Sequence, residues 1–195
     1  MSPRATVGRR AFVARLMRGI PDALVVTGLG SPAYDVFAAG DRDANFYLWG
    51  AMGGATPMGL GLALAQPGKP VVVITGDGEM LMGMGSLATV GAQRPGNLTI
   101  VVLDNGHYGE TGMQPSHTSL GTSLVAVAKG CGIGDAFPVD RLEGADDVAQ
   151  RVNARSGMAL AVVKIAAEEP PRALPARDGV YLKNRFRGHL GLAPF

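Results

Sequence analysis

Two β-branched apolar runs dominate the middle of the chain, Val71-Val72-Val73-Ile74-Thr75 and Leu98-Thr99-Ile100-Val101-Val102-Leu103. Each stops abruptly, the first at Gly76-Asp77-Gly78 and the second at Asp104-Asn105-Gly106. Runs this short and this apolar read as strands buried on both faces. The stretch 80–95 between them is long enough for one helix. Strand, helix, strand predicts a βαβ unit whose strands are parallel neighbours. That pairing puts Asp77 and Asn105 at the carboxyl ends of adjacent strands, the edge where open α/β sheets bind ligands.

The same alternation runs through the rest of the chain. Residues 6–19 predict a first helix with Val7, Ala11, Ala14, Leu16 and Met17 on its apolar face, and Gly19-Ile20-Pro21 ends it. Residues 23–27 predict a short buried strand. Ser31 as N-cap and Pro32 at the first helical position predict a helix through Phe37. Residues 46–49 predict a strand. Residues 56–66 predict a helix rich in Gly and Ala with no polar face, hence a buried one. Further helices are predicted over 122–131 and 144–154, an edge strand over 136–139 and a last strand over 158–165. The sum is an α/β fold, a doubly wound parallel sheet, over residues 1–167.

Residues 168–195 change character. Pro170, Pro171 and Pro175 forbid a continuous helix, and Arg172, Arg177, Lys183, Arg185 and Arg187 make the segment basic. It reads as an arm, solvated or packed on the domain or a neighbouring subunit. Alternatively, it lends arginines to a pocket for an anionic substrate. The formal net charge of the 195 residues is only +2, which gives no reason to invoke nucleic acid. One cysteine, Cys131, excludes an internal disulfide framework and reads as a small buried apolar residue. No run is long enough to span a membrane, and no signal-peptide pattern opens the chain, so a cytoplasmic location is expected.

The chemistry concentrates at the two strand tips. A carboxylate and a carboxamide are hard oxygen donors suited to Mg²⁺ or Ca²⁺, and Mg²⁺ commonly takes phosphate oxygens as further ligands. Gly76 and Gly78 remove side chains beside Asp77, and the helix that follows points its positive end at the same place. A metal-bridged diphosphate site is one reading. A tight turn after a buried strand is the plainer reading for Gly-Asp-Gly alone. The second tip, Asp104-Asn105-Gly106, favours the site.

Gly76-Asp77-Gly78 followed 28 residues after Asp77 by Asn105 resembles the signature of thiamine-diphosphate enzymes. The resemblance implies the thiamine-diphosphate-binding fold, with Asp77, Asn105 and the backbone carbonyl of His107 as ligands of the Mg²⁺ that holds the cofactor diphosphate. Asp104 stands where the family often has Asn and is not carried over. Trp49-Gly50-Ala51-Met52-Gly53-Gly54 resembles the family segment beneath the aminopyrimidine. It implies Met52 as the apolar wedge that bends the cofactor, unless Met52 simply fills a gap, and the Gly50 carbonyl as an acceptor. Gly30 and Ser31, in the first strand-to-helix turn, are either diphosphate contacts or caps. Tyr108 and Gly109 belong to the loop 106–121 that folds over the cofactor in this family. His117, in the same loop, either carries a proton in catalysis or is solvated. Glu79 lies beside the diphosphate-binding glycines, where many members have Ser or Ala, and its role stays open.

Within the family, the segments 85–91, 97–99 and 104–117 are most similar to sulfopyruvate decarboxylase β subunits and phosphonopyruvate decarboxylase. The resemblance implies decarboxylation of an anionic 2-oxoacid. It also implies a partner, since family members carry a second, pyrimidine-binding domain with an activating Glu. That Glu is expected on a separate α subunit, in a heterotetramer or larger assembly. Carboligation of the acetolactate-synthase type, or a non-catalytic diphosphate-binding module, are the alternatives.

Overall fold

A computed structural model describes residues 7–193. In chain order the elements begin with α1 (Arg9–Gly19), β1 (Leu24–Thr27), α2 (Ser31–Ala38), β2 (Asn45–Tyr47) and α3 (Ala55–Ala65). They continue with β3 (Val71–Gly76), α4 (Asp77–Met82), α5 (Ser86–Gln93), β4 (Leu98–Asp104), β5 (His107–Tyr108) and β6 (Gln114–Pro115). The chain ends with α6 (Leu124–Gly130), β7 (Asp135–Val139), α7 (Gly144–Ala154), β8 (Ala159–Lys164) and α8 (Gly179–His189).

Six strands form one sheet in the order β2-β1-β3-β4-β8-β7, and every pairing is parallel. β3 and β4 pair from Val71 with Leu98 to Gly76 with Leu103, so their tips end level. Side chains alternate across the sheet. Val25, Val72, Ile74, Val101 and Val163 face the layer built from α1, α2 and α7. Val26, Val73, Ile100, Val102 and Leu160 face the layer holding α3, α5 and α6, and α8 reaches both layers, with Leu182 in the first and Phe186 in the second. Helices on both faces make the fold doubly wound, as the alternation of elements predicts.

The structure departs from the sequence reading in four places along this part of the chain, and one expectation falls outside what it describes. α1 buries Phe12, Val13, Leu16 and Met17 and leaves Ala11 exposed, because the apolar stripe lies one position round from the predicted one. Thr6, the predicted helix start, lies outside the described residues. Gly30, at φ 77°, is the N-cap of α2, and Ser31 is already helical. The stretch predicted as one helix is two, and the first starts at Asp77 itself. The break falls at Gly83, where a Cβ would meet the Gly53 carbonyl oxygen at 2.4 Å, so two backbones touch there. α3 is not buried all round: Met58 and Leu64 are 38% and 49% exposed, which leaves an apolar face uncovered.

The arm also holds a helix. Its three prolines lie before α8, and Asp178 caps the start by accepting from the N–H groups of Val180 and Tyr181. Leu182 and Phe186 are buried, with Phe186 edge-on to Phe46. Arg185 pairs with Asp41 at 2.6 Å, and the Trp49 indole N–H donates to the Ala176 carbonyl at 2.8 Å. Cys131 is partly exposed.

Candidate active site

The order of strands reverses between β1 and β3: the chain steps outward from β1 to β2, then back across to β3. Loops leaving such a switch point diverge to opposite faces and leave a crevice at the carboxyl ends. A cavity of about 250 Å³, open to solvent, lies there. Ser31, Met52, Gly76, Asp77, Gly78, Glu79, Asn105, His107, Tyr108 and Gly109 line it. Gly30, Gly50 and His117 do not.

Asp77 is buried at the tip of β3. Its Oδ2 accepts from the Ser116 hydroxyl and, at 3.3 Å, from the Thr118 hydroxyl. Oδ1 has no side-chain donor among the described residues. Burial pushes the Asp77 carboxyl above its ordinary value, and nearby Asp104 adds to this, while the Ser116 hydroxyl pulls it back. A divalent cation at Oδ1 would reverse the balance and hold the group ionised.

Asn105 closes a short turn in which its Oδ1 accepts from the His107 N–H at 2.9 Å and its carbonyl contacts His107 Nδ1 at 2.8 Å. The His107 ring is therefore tied to its own turn. Among the described residues no three His, Cys, Asp or Glu side chains converge on one point. A metal here would have to rest on mixed oxygen donors, which is the set that Asp77, Asn105 and a backbone carbonyl supply. Tyr108 covers the site from the other side; its ring packs on Gly78, where a Cβ would stand 2.6 Å from the ring carbons.

Asp104, at the tip of β4, serves the protein instead. Its Oδ1 accepts from the Gly106 N–H at 3.0 Å and the Thr118 hydroxyl at 2.7 Å, and its Oδ2 pairs with Lys164. Ser116 and Thr118 also contact each other at 2.9 Å, so one hydroxyl chain links both acids. Sequence reasoning passed over Ser116, Thr118 and Lys164. Ser116 stood beside the candidate His117, which is exposed, whereas Ser116 is fully buried.

Glu79 is buried and faces its own chain. It accepts from Leu29 N–H at 3.1 Å, Ala55 N–H at 3.3 Å and the Thr75 hydroxyl at 3.0 Å. It thus joins the turn after β1 and the turn after Met52 to the tip of β3. Gly28 makes room for it: a Cβ there would fall 1.7 Å from Glu79 Oε2. Met52 is 42% exposed at the cavity's edge, with Met82, 63% exposed, also in the lining. Nearby, Gly50 and Gly53 adopt positive φ, at 72° and 87°.

Residues 37–163 match the family model described as thiamine pyrophosphate enzyme, C-terminal TPP binding domain. The chain belongs to that family. It is 45% identical over 120 residues to the sulfopyruvate decarboxylase subunit beta of Methanocaldococcus jannaschii, covering 62% of this chain and 63% of that one. It is 39% identical over 192 residues to the phosphonopyruvate decarboxylase of Streptomyces viridochromogenes, covering 95% of this chain and 47% of that one. The chain thus spans under two thirds of either relative. The fold is shared with a 4-hydroxybenzoylformate decarboxylase of Rhodococcus jostii, at a TM-score of 0.71 and 21% identity, over 87% of this chain and 34% of that one.

Proposed function

We propose that the chain is the β-type subunit of a thiamine-diphosphate-dependent decarboxylase acting on sulfopyruvate or phosphonopyruvate. The observation that carries the cofactor half is the pair of level strand tips, with Asp77 Oδ1 left without a side-chain donor beside Asn105. The donor set fits Mg²⁺: one carboxylate, one carboxamide and the His107 carbonyl, with room for phosphate oxygens. The similarity to the two decarboxylases supports the reaction.

When bound, the cofactor supplies an electron sink for the carbanion left as CO₂ departs. This chain's residues bind and orient. Asp77, Asn105 and His107 hold the metal and diphosphate. Gly76, Gly78 and the Gly30-Ser31 turn admit the phosphate oxygens. Met52 supports the bend between the rings, Tyr108 and Gly109 cover the diphosphate, and the Gly50 carbonyl, which lies outside the cavity lining of this chain alone, accepts from the aminopyrimidine where the partner completes the site. His117 stays outside this set.

A separate α-type subunit supplies the pyrimidine-binding domain and its activating Glu, in a heterotetramer or larger assembly. Two features support a partner. The M. jannaschii relative is named as a subunit, and the Streptomyces relative is about twice this chain's length. Met52, Met58, Leu64 and Met82 are exposed apolar side chains around the cavity mouth and on α3, the kind of surface that marks an interface. Among the described residues no helix is long and apolar enough to cross a membrane.

The test is co-expression with a pyrimidine-domain polypeptide, then CO₂ release from a panel of 2-oxoacids with thiamine diphosphate and Mg²⁺. Preferred turnover of sulfopyruvate or phosphonopyruvate is the expected result. Turnover only of 2-oxoacids that carry no second anionic group beyond the carboxylate, or none by a complex that binds cofactor, would overturn the substrate assignment.

A further inference from the structure

Arg9, the first residue of α1, is only 5% exposed and lines the cofactor cavity. Among the described residues its one ion-pair partner is shared with a second arginine, although Glu168 and Glu169 also line the smaller cavity that it borders. Arg9 Nε forms an ion pair with Asp35, which is fully buried, but Arg10 Nε also donates to Asp35, at 3.0 Å. Two guanidinium groups share one carboxylate. Arg10 is further occupied, donating to the Pro171 carbonyl at 2.8 Å. Arg9 has no partner besides Asp35 among the described residues. A buried cation without full compensation is costly, so its retention calls for an anion from outside the chain.

The surroundings say which part of a ligand meets it. Arg9 lines the cofactor cavity and the smaller cavity beside it, and Ser31 and Asn105 also line both. Met52 and Leu29 line only the first. Arg9 thus shares the smaller cavity with Ser31, Asn105 and Gly109 of the proposed diphosphate set and not with Met52, the proposed ring support, while Gly76, Asp77 and Gly78 line only the first cavity. The uncapped first turn of α2 opens at Ser31, adding backbone N–H groups that favour phosphate. Glu110, which lines both cavities, is already paired with Arg172 at 3.1 Å. Arg9 is the only Lys or Arg in the cofactor cavity's described lining, which also holds Asp77 and Glu79.

We propose that Arg9 is a ligand of the terminal phosphate of the bound cofactor, with Asp35 holding its Nε so that the outer nitrogens face the phosphate. The assignment rests on the cofactor reading above. An Arg suits the role because its planar donors match phosphate oxygens in pairs.

The test uses the full chain purified with its partner subunit. Dissociation constants for thiamine diphosphate and thiamine monophosphate are measured calorimetrically with Mg²⁺, for the unchanged protein, Arg9→Met and Arg9→Lys. Thiamine monophosphate lacks the phosphate in question. The expected result is a loss of about 10- to 100-fold for the diphosphate in Arg9→Met. Monophosphate affinity should stay within about 3-fold, and Arg9→Lys should fall between, since it keeps charge but not the paired donors. Asp35 keeps Arg10 in both variants, and the lysine variant gives a second reading if the methionine variant folds poorly. Equal losses for the two ligands, no loss for either, or an effect confined to the KM of the 2-oxoacid would overturn the proposal. An unchanged complex that binds no thiamine diphosphate would instead overturn the cofactor reading.

Discussion

The tips of β3 and β4 look alike on paper and behave oppositely in the fold. Both end in a buried aspartate beside a glycine-containing turn. Asp77, which lines the cavity, receives hydroxyl donors on one oxygen and no side-chain donor on the other among the described residues. Asp104 commits both oxygens to Gly106, Thr118 and Lys164. The difference is not in the acids but in the donors that reach them from elsewhere in the chain. A carboxylate is available for a ligand when the protein leaves a lone pair unclaimed, and structural when it does not.

The sharpest way to break this comparison is to neutralise each acid in turn. Asp77→Asn should weaken Mg²⁺-dependent cofactor binding by more than the roughly 100-fold seen at most for outer-shell changes. Titration calorimetry on the complex measures it, and a smaller loss would remove Asp77 from the metal. Glu79→Gln comes next. An amide NH₂ would then face an N–H or hydroxyl donor that the carboxylate now accepts, costing about 2–3 kcal/mol of stability. Denaturant unfolding of the complex checks this.

Ser116→Ala should act on affinity and not on fold. Freeing Asp77 Oδ2 is expected to lower metal affinity about 10-fold, at the low end for an orienting partner. Metal titration monitored by cofactor binding reads it, alongside an almost unchanged melting temperature. Asp104→Asn should do the reverse: metal affinity nearly unchanged and about 1 kcal/mol of stability lost, because Lys164 is half-exposed and can turn to water. If Asp104→Asn matched Asp77→Asn in cofactor affinity, the two tips would not differ in role.

The smallest effect lies on the surface. Arg15 holds Asp146 through two contacts, at 2.9 and 2.6 Å, and its hydrogen bonding lowers the Asp146 carboxyl below its ordinary value. A depressed folded-state pKa stabilises above the unfolded value, and the gain is lost as pH falls through the folded value. Asp146→Asn should therefore open a slight melting-temperature gap at neutral pH that closes in acid.

Much of the fold and part of the site are legible in the chain because they are local. The apolar runs, their abrupt ends and the 28-residue spacing between Asp77 and Asn105 locate both strand tips. Glu79 is legible as a residue but not as a role, since its donors come from Leu29 and Ala55, 50 and 24 positions away. Ser116 meets Asp77 across 39 positions, and nothing in its own neighbourhood marks it. The expectation for α3 fails for another reason. An apolar helix reads as one buried by its own domain, whereas Met58 and Leu64 lie on a face that the described residues leave bare. Hydrophobicity reports that a surface is to be covered, not by which polypeptide.

The contact between Gly53 and Gly83 carries a consequence for how the site keeps its dimensions. One glycine follows the residue proposed to wedge the cofactor rings, and the other ends the short helix that begins at the proposed metal ligand. With peptide touching peptide, the spacing between the proposed wedge and the proposed metal ligand is gauged by main-chain atoms, whose size no substitution alters. Side chains around the cavity can drift while that ruler stays fixed, until a single methyl group at position 83 pries the two ends of the coenzyme's seat apart.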